Sequence, residues 1–515
     1  MEDVLAAHAA ATPNKIAIIE GERRLDFATF NAMANRYAHL LIGLGVTAGT
    51  KVVWCGRNSV EVLTVIAAIA KTGAVAVPLN YRLSPEEAAY VVENADATVA
   101  LFDVEQAPQL EAAAGQVEAV TSWLAFRCEP GEVPGWAAHL DTEAAGSPDG
   151  EPAARGEDFS AGTSMFYTSG TTGKPKGVVR GAVDMEIILG LVTTIGFQPD
   201  DVYLTTGPLY HSGPMSFMQI VQQFGGRVVV MREFSPERWL ELVDRHKVTT
   251  TFSAPTPIRR VVDLPAEVRA RYDVSSLQRM IANAAPWPFD LKRRYVERIG
   301  DGSLFEVYGS TELGVDTILL PADQMRKPGS CGRPAPGIEI GLFDEAGKQI
   351  EEPHVPGDLY VRSGVTFDAY YKADQKYADS KLGDWLTVGD IAYRDEEGFL
   401  YICDRRSDMI ISGGMNIYPA EIEAVLAAHP DIADAAVFGI PSEEWGESVH
   451  AAIVVRPGTD PADAGLQEHC REHLASYKVP RGFDRIEEIP RNPSGKMLKR
   501  RLRDPYWEGR DSKVG

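Results

Sequence analysis

KVVWCGRNSVEVLTVIAAIAKTGAVAVPLNYRLSPEEAAYVVENADATVALF, residues 51–102, decides the fold. Three short apolar runs stand in it: Lys51 to Cys55, Ala74 to Leu79 and Thr98 to Phe102. Each is of strand length, and none alternates polar with apolar residues. The stretch Val60 to Ala70 carries a helical pattern. A second helix has an explicit start, with Ser84 as N-cap, Pro85 at the first helical position and Glu87 three residues after the cap. Continuous apolar strands alternating with helices predict a parallel sheet covered on both faces, and therefore an α/β fold.

Working outward, Val202 to Thr206, Arg227 to Met231 and Val248 to Ser253 read as further strands, with Ser235-Pro236-Glu237 opening a helix between the last two. Glu129 to Ser160 is rich in Gly, Pro, Ala and acids and reads as an irregular surface excursion. From Gly329 to Leu400 short β runs follow one another. Beyond Asp404 a helix from Pro419 to His429 and strands at Ala435 to Ile440 and His450 to Val455 form a mixed pattern. The expectation is a large multilayer α/β N-terminal domain with a β-rich subdomain, residues 1–406, and a small mobile α+β C-terminal domain, residues 407–515. A chain of 515 residues exceeds what one core serves, which agrees with that division. No internal repeat of solenoid type is present.

Composition narrows the function. Charged residues make up 24% and hydrophobic residues 44%, as in ordinary globular chains. A formal net charge of −22 opposes nucleic-acid binding, since a polyanion meets net repulsion. The most apolar stretch, Val62 to Pro78, is broken by Lys71 and Gly73, so no membrane span is expected. The first ten residues hold two acids and no basic residue, unlike a secretory signal. Five scattered cysteines without CxxC spacing argue against a zinc site or disulfide framework and for a cytoplasmic location.

The chemistry begins at YTSGTTGKPKG, residues 167–177. Three glycines let the backbone wrap an anion, while four hydroxyls and two lysines supply donors and positive charge, a set suited to polyphosphate. Pro175 after Lys174 excludes the GxxxxGK[ST] register of a Walker A loop.

This string resembles the phosphate loop of the adenylate-forming superfamily, and within it the AMP-forming acyl-CoA synthetases. Further segments match in the same order: KTGAVAVPLNYRLSPEE (71–87), PLYHSGPM (208–215), YGSTELG (308–314), WLTVGD (385–390), GFLYICDRRSDMIISGGMNIYPAEIE (398–423) and NPSGKMLKR (492–500). The resemblance spans nearly the whole chain. It implies a carboxylic acid attacking the α-phosphate of ATP, followed by transfer of the acyl group to coenzyme A.

By the same resemblance, Thr168, Ser169, Gly170, Thr171, Thr172, Gly173 and Lys176 hold the phosphates and Tyr308 lies against adenine. Thr311 touches the α-phosphate, and Glu312 ligates Mg²⁺. Asp390 and Arg405 bind the ribose. Lys496 reaches the α-phosphate and the acyl carboxylate during adenylation. His211 stands near the acyl and adenylate groups. Ser407 is the hinge about which the small domain swings, bringing Ser412, Gly413 and Gly414 beside the pantetheine arm. The acyl pocket is expected to be bounded by Ser212, Gly213, Ala282 and Asn283, with Gly309 in its floor, and the small residues there suit a medium- or long-chain fatty acid best, with an aryl acid or a steroid side chain as alternatives. A ligase loading a separate carrier protein, luciferase-type oxygenation and a non-catalytic nucleotide binder are the competing readings. The implied partners are ATP, a carboxylic acid and coenzyme A, with homo-oligomerisation left open.

Overall fold

The computed structural model describes residues 3–153, 164–168, 174–180, 184–285, 287–413, 415–491 and 497–508. It divides into two compact units. The first comprises Met1–Pro328, Pro334–Glu339 and Arg362–Asp384; the second comprises Gly329–Arg333, Ile340–Val361 and Trp385–Gly515. By packing, most of the β-rich segment therefore groups with the C-terminal residues.

In the first unit the quoted stretch forms the expected parallel sheet. Its strands run in the order Val75–Leu79, Lys51–Cys55, Ala97–Asp103, Ser122–Phe126, Ala138–His139. Ser59 caps the helix Val60–Thr72, which ends at Gly73 in the left-handed region (φ 77°). Ser84 and Glu87 close a reciprocal capping box on Pro85–Asn94. Lys71, which breaks the apolar run, is buried but not isolated: its ammonium pairs with Asp3 and Glu151 at 2.8 Å each. Glu151 also accepts from Asn31 and Asn35, so the excursion after Glu129 is fastened to the α/β core. That excursion also holds the strand Ala138–His139 and the helix Leu140–Ala144.

A larger sheet carries Gly314–Leu319, Leu304–Ser310, Arg279–Ala282, Thr250–Ser253, Val202–Leu204, Arg227–Val229, Ile16–Glu20 and Arg23–Asp26 in that order. Its middle is parallel, and antiparallel pairs stand at both ends. A small antiparallel sheet joins Phe166–Thr168, Lys176–Val179 and Ala369–Tyr370. Its first two strands carry the two ends of the segment 167–177 quoted above.

In the second unit Gly357–Arg362, Asp390–Arg394 and Leu400–Arg405 pair antiparallel. The C-terminal part is built on a hairpin of Ile432–Ser442 and Gly446–Val455, longer at both strands than the sequence suggests. Pro419–Ala428 and Asp463–His473 pack their apolar faces into its core through Ile422, Leu426, Leu466 and Cys470. Among the described residues, no helix is long and apolar enough to cross a membrane.

Candidate active site

The site in the first unit is assembled around Glu312. This residue sits in the turn between the antiparallel strands Leu304–Ser310 and Gly314–Leu319, where the Leu313 amide donates to the Ser310 hydroxyl at 3.0 Å. The Phe367 amide donates to the Glu312 carbonyl at 2.7 Å, fixing the turn against the chain that leads to Tyr370. The side chain is 8% exposed. One carboxylate oxygen accepts from the Thr168 hydroxyl at 3.1 Å and from the Tyr370 hydroxyl at 3.2 Å. Among the described residues it forms no ion pair.

Lys176 opens the strand on the other side of the loop, with its ammonium 5.9 Å from the centre of the Tyr370 ring. Burial, reinforced by Lys376, holds its pKa below the ordinary lysine value. Arg180 donates through Nε to the Thr311 carbonyl at 2.9 Å. Burial lowers its pKa, against the pull of Glu312 and Asp316. The Thr311 hydroxyl lies 2.9 Å from that of Ser212, which begins the helix Ser212–Gln223. His211 is the N-cap residue of that helix, its ring 4.2 Å from that of Tyr210. Tyr308 is half-buried on the strand that leads into the Glu312 turn. A buried carboxylate hydrogen-bonded by neutral hydroxyls and without an ion pair among the described residues would suit a hard divalent cation. The residues present therefore fit Mg²⁺.

Ala282 ends the buried strand Arg279–Ala282, and the Asn283 side-chain amide donates through Nδ2 to the Val307 carbonyl at 2.7 Å. Ala284 follows at φ 72°, an uncommon conformation for alanine. Two glycines expected at the acyl pocket are also required by local packing. A Cβ at Gly213 would meet the Phe252 ring at 2.6 Å, and one at Gly309 would overlap the carbonyl oxygen of Gly314. Glycine at 309 coincides with a register shift in the strand pairing, and at 213 it lets the helix lie close to the Thr250–Ser253 strand. Both positions therefore need glycine for close approach within the fold.

In the second unit Asp390, 6% exposed, pairs with Arg405 at 3.2 Å across adjacent strands. Ser407 lies just beyond, exposed, its hydroxyl 3.4 Å from Asp408. Ser412 ends a strand. Gly413 has φ 58°, donates its amide to the Trp445 carbonyl at 2.8 Å, and has its Cβ direction filled by the Trp445 ring. Lys499 is buried, bonded to Glu423 at 2.8 Å and 3.9 Å from Asp404. Ser169, Gly170, Thr171, Thr172, Gly173, Gly414 and Lys496 lie outside the described residues.

Tyr370 and Arg180 are the residues that sequence reasoning missed. The pairing of Tyr370 with Val178 carries its hydroxyl to Glu312, and no motif at Tyr370 announces that partner.

The fold and the family to which the chain belongs make it an adenylate-forming enzyme of the AMP-forming acid–CoA ligase class. The AMP-binding enzyme family profile matches residues 5–371, the profile of its C-terminal domain matches residues 421–496, and the chain belongs to this family. It is 32% identical over 510 residues to the long-chain-fatty-acid–CoA ligase FadD13 of Mycobacterium tuberculosis, covering 98% of each chain. It is 31% identical to the fatty acid–[acyl-carrier-protein] ligase ScoC of Streptomyces coeruleorubidus, covering 98% of this chain and 96% of ScoC. The structure of o-succinylbenzoate CoA synthetase (MenE) from Bacillus subtilis with its acyl-adenylate intermediate is similar at a TM-score of 0.84 and 29% identity, covering 100% of this chain and 99% of that one.

Proposed function

We propose that this enzyme activates a medium- or long-chain fatty acid as its acyl-adenylate and transfers the acyl group to coenzyme A. The observation that carries the adenylation step is Glu312 held by the Thr168 and Tyr370 hydroxyls, with the Lys176 ammonium 5.9 Å from the centre of the Tyr370 ring. The fatty substrate is supported by the likeness to FadD13 and ScoC, both named for fatty acids.

In the first step a carboxylate oxygen attacks the α-phosphorus, and pyrophosphate leaves as the bridging P–O bond breaks. The substrate is already ionised at neutral pH, so no general base is needed and catalysis rests on alignment and charge stabilisation. Residues 168–176 hold the β- and γ-phosphates, Thr311 faces the α-phosphate and Tyr308 lies against adenine. Asp390 and Arg405 take the ribose. Glu312 is the side chain to hold Mg²⁺, which when bound neutralises phosphate charge. Lys496 stabilises charge developing on the α-phosphate. Ser212, Ala282 and Asn283 border the acyl group, with His211 packed beside it. In the second step residues 407–515 turn about Ser407, Lys496 withdraws, and Ser412, Gly413 and Gly414 flank the pantetheine arm. The thiolate then attacks the acyl carbon and AMP departs.

The test is AMP release across a panel of carboxylic acids, with and without coenzyme A. The expected result is thiol-dependent turnover favouring chains of medium or greater length. Preference for an aryl acid overturns the fatty reading, and release of AMP only with a holo carrier protein supports the second reading, a carrier-loading ligase, which the likeness to ScoC favours.

A further inference from the structure

The helix Asp463–His473 carries His469, Glu472 and His473, spaced i, i+3 and i+4, so that all three share one face. One ligand atom from each lies within 4.8 Å of the others. Nothing in the adenylation or thioester chemistry uses them.

The backbone fixes what the two imidazoles can offer. Nε2 of His469 lies 3.0 Å from the Val425 carbonyl, and Nδ1 of His473 lies 2.9 Å from the His469 carbonyl. A carbonyl only accepts, so each of these nitrogens carries the proton in the neutral ring. The lone pairs are left on Nδ1 of His469 and Nε2 of His473. A ring whose second nitrogen donates to a backbone carbonyl is the arrangement that orients and strengthens histidine as a metal ligand. His429 plays a different part. Its Nδ1 accepts the Asp431 amide at 3.2 Å, and its ring stands edge-on to His469 at 5.0 Å and 87°, holding that ring in place. Glu472 is exposed and forms no ion pair among the described residues, while the neighbouring Arg471 is paired with Glu468 at 3.0 Å.

We propose that His469, Glu472 and His473 form a binding site for a borderline divalent transition-metal ion, with Zn²⁺ as the type case. Two imidazole nitrogens and one carboxylate oxygen match zinc and disfavour Mg²⁺ and Ca²⁺, which take oxygen ligands. Three protein ligands leave the remaining position to water. Because His469 also bonds to the carbonyl of Val425 in the helix Pro419–Ala428, metal binding stiffens the contact between the two helices of the C-terminal part.

The test uses the full-length chain, free of any affinity tag and stripped with chelator, in Zn²⁺ equilibrium dialysis and Co²⁺ absorption titration. One equivalent of Zn²⁺ should bind and survive excess Mg²⁺, and Co²⁺ should give the spectrum of nitrogen ligation. His473→Ala should weaken binding at least about tenfold, and His469→Ala about as much. Glu472→Gln should weaken it less. His473 is exposed, so its variant should keep the wild-type circular dichroism and AMP release without zinc. Absence of zinc binding, displacement by Mg²⁺, or full retention of the site in His473→Ala overturns the proposal.

Discussion

Glu312 in the first unit and Lys499 in the second are both buried charges, and they are held in opposite ways. Glu312 accepts hydrogen bonds from the hydroxyls of Thr168 and Tyr370 and feels the Arg180 guanidinium, but it forms no ion pair among the described residues, so much of its charge remains for a cation that arrives from outside. Lys499 has Glu423 at 2.8 Å and Asp404 beyond it. Burial works against its charge, but these carboxylates outweigh burial and hold its pKa above the ordinary 10.5. A charge locked in an ion pair within the fold serves structure, whereas one hydrogen-bonded by neutral donors and left without an ion pair is available to a ligand. The difference matters because Lys496 and Lys499 belong to one basic segment, and its composition alone does not separate them. The pairing of Lys499 removes it from the candidates for the α-phosphate.

The largest expected effects test that separation directly. Lys496→Ala should lower adenylation about a hundred- to a thousandfold, the scale of one lost transition-state donor, with nucleotide binding little changed. Thioester formation from preformed acyl-adenylate should barely move, and rapid-quench measurement of each half-reaction reads this. Equal losses in both would break the comparison. Lys499→Met instead leaves two buried carboxylates without their cation, a change that costs about 3–5 kcal/mol in buried pairs. Urea denaturation should register that loss, while the ratio of the two half-reactions stays at the wild-type value. The pH sign follows from the raised lysine pKa: the contribution of Lys499 is complete below the unfolded-state value and fades only as pH rises through the folded one. The stability gap between wild type and variant should therefore hold constant from pH 7 to about 9.

Glu312→Gln comes next. The amide oxygen can still accept from Thr168 and Tyr370, so the fold should lose less than about 1 kcal/mol. The charge is gone, and the Mg²⁺ concentration for half-maximal adenylation should rise about ten- to a hundredfold. An unchanged Mg²⁺ curve would reduce Glu312 to a turn residue.

These contrasts also show where the sequence was legible. Strand–helix alternation and the Ser84 capping box are local, and both appear in the structure at or within a residue or two of the expected positions. The loop arms Thr168 and Lys176 and the Glu312 turn come together from distant motifs, which their joint order signalled. Tyr370 was not legible, because its role depends on strand pairing with Val178 rather than on its neighbours. At Gly213 and Gly309 the sequence was ambiguous for another reason. A glycine is equally the residue of open space and of close approach, and only the positions of Phe252 and the Gly314 carbonyl decide between them. Lys71 is similar: its ion partners are 68 and 80 residues away.

The smallest expected effect is the finest probe of how Glu312 is held. Tyr370→Phe removes one hydroxyl from the carboxylate and keeps the ring, which is 8% exposed and packs 4.8 Å from Phe367. If the hydroxyl only satisfies a buried oxygen, its loss makes that oxygen a hungrier ligand, and the Mg²⁺ requirement should fall. If it aims the carboxylate, the requirement should rise. The geometry favours aiming, because Thr168 and Tyr370 grip the same oxygen from two strands of one small sheet and so fix the rotation of the group. One lost hydrogen bond of about 0.5–1.5 kcal/mol then lowers kcat/KM for adenylation about two- to tenfold, with a modest rise in Mg²⁺ demand. Thr168→Val should act in the same direction. Because either donor alone can still orient the oxygen, the double variant should lose more than the two single losses combined. Strict additivity, or a Mg²⁺ curve that shifts to lower concentration, would mean that the hydroxyls do not position Glu312 and that its orientation comes from the backbone of the turn.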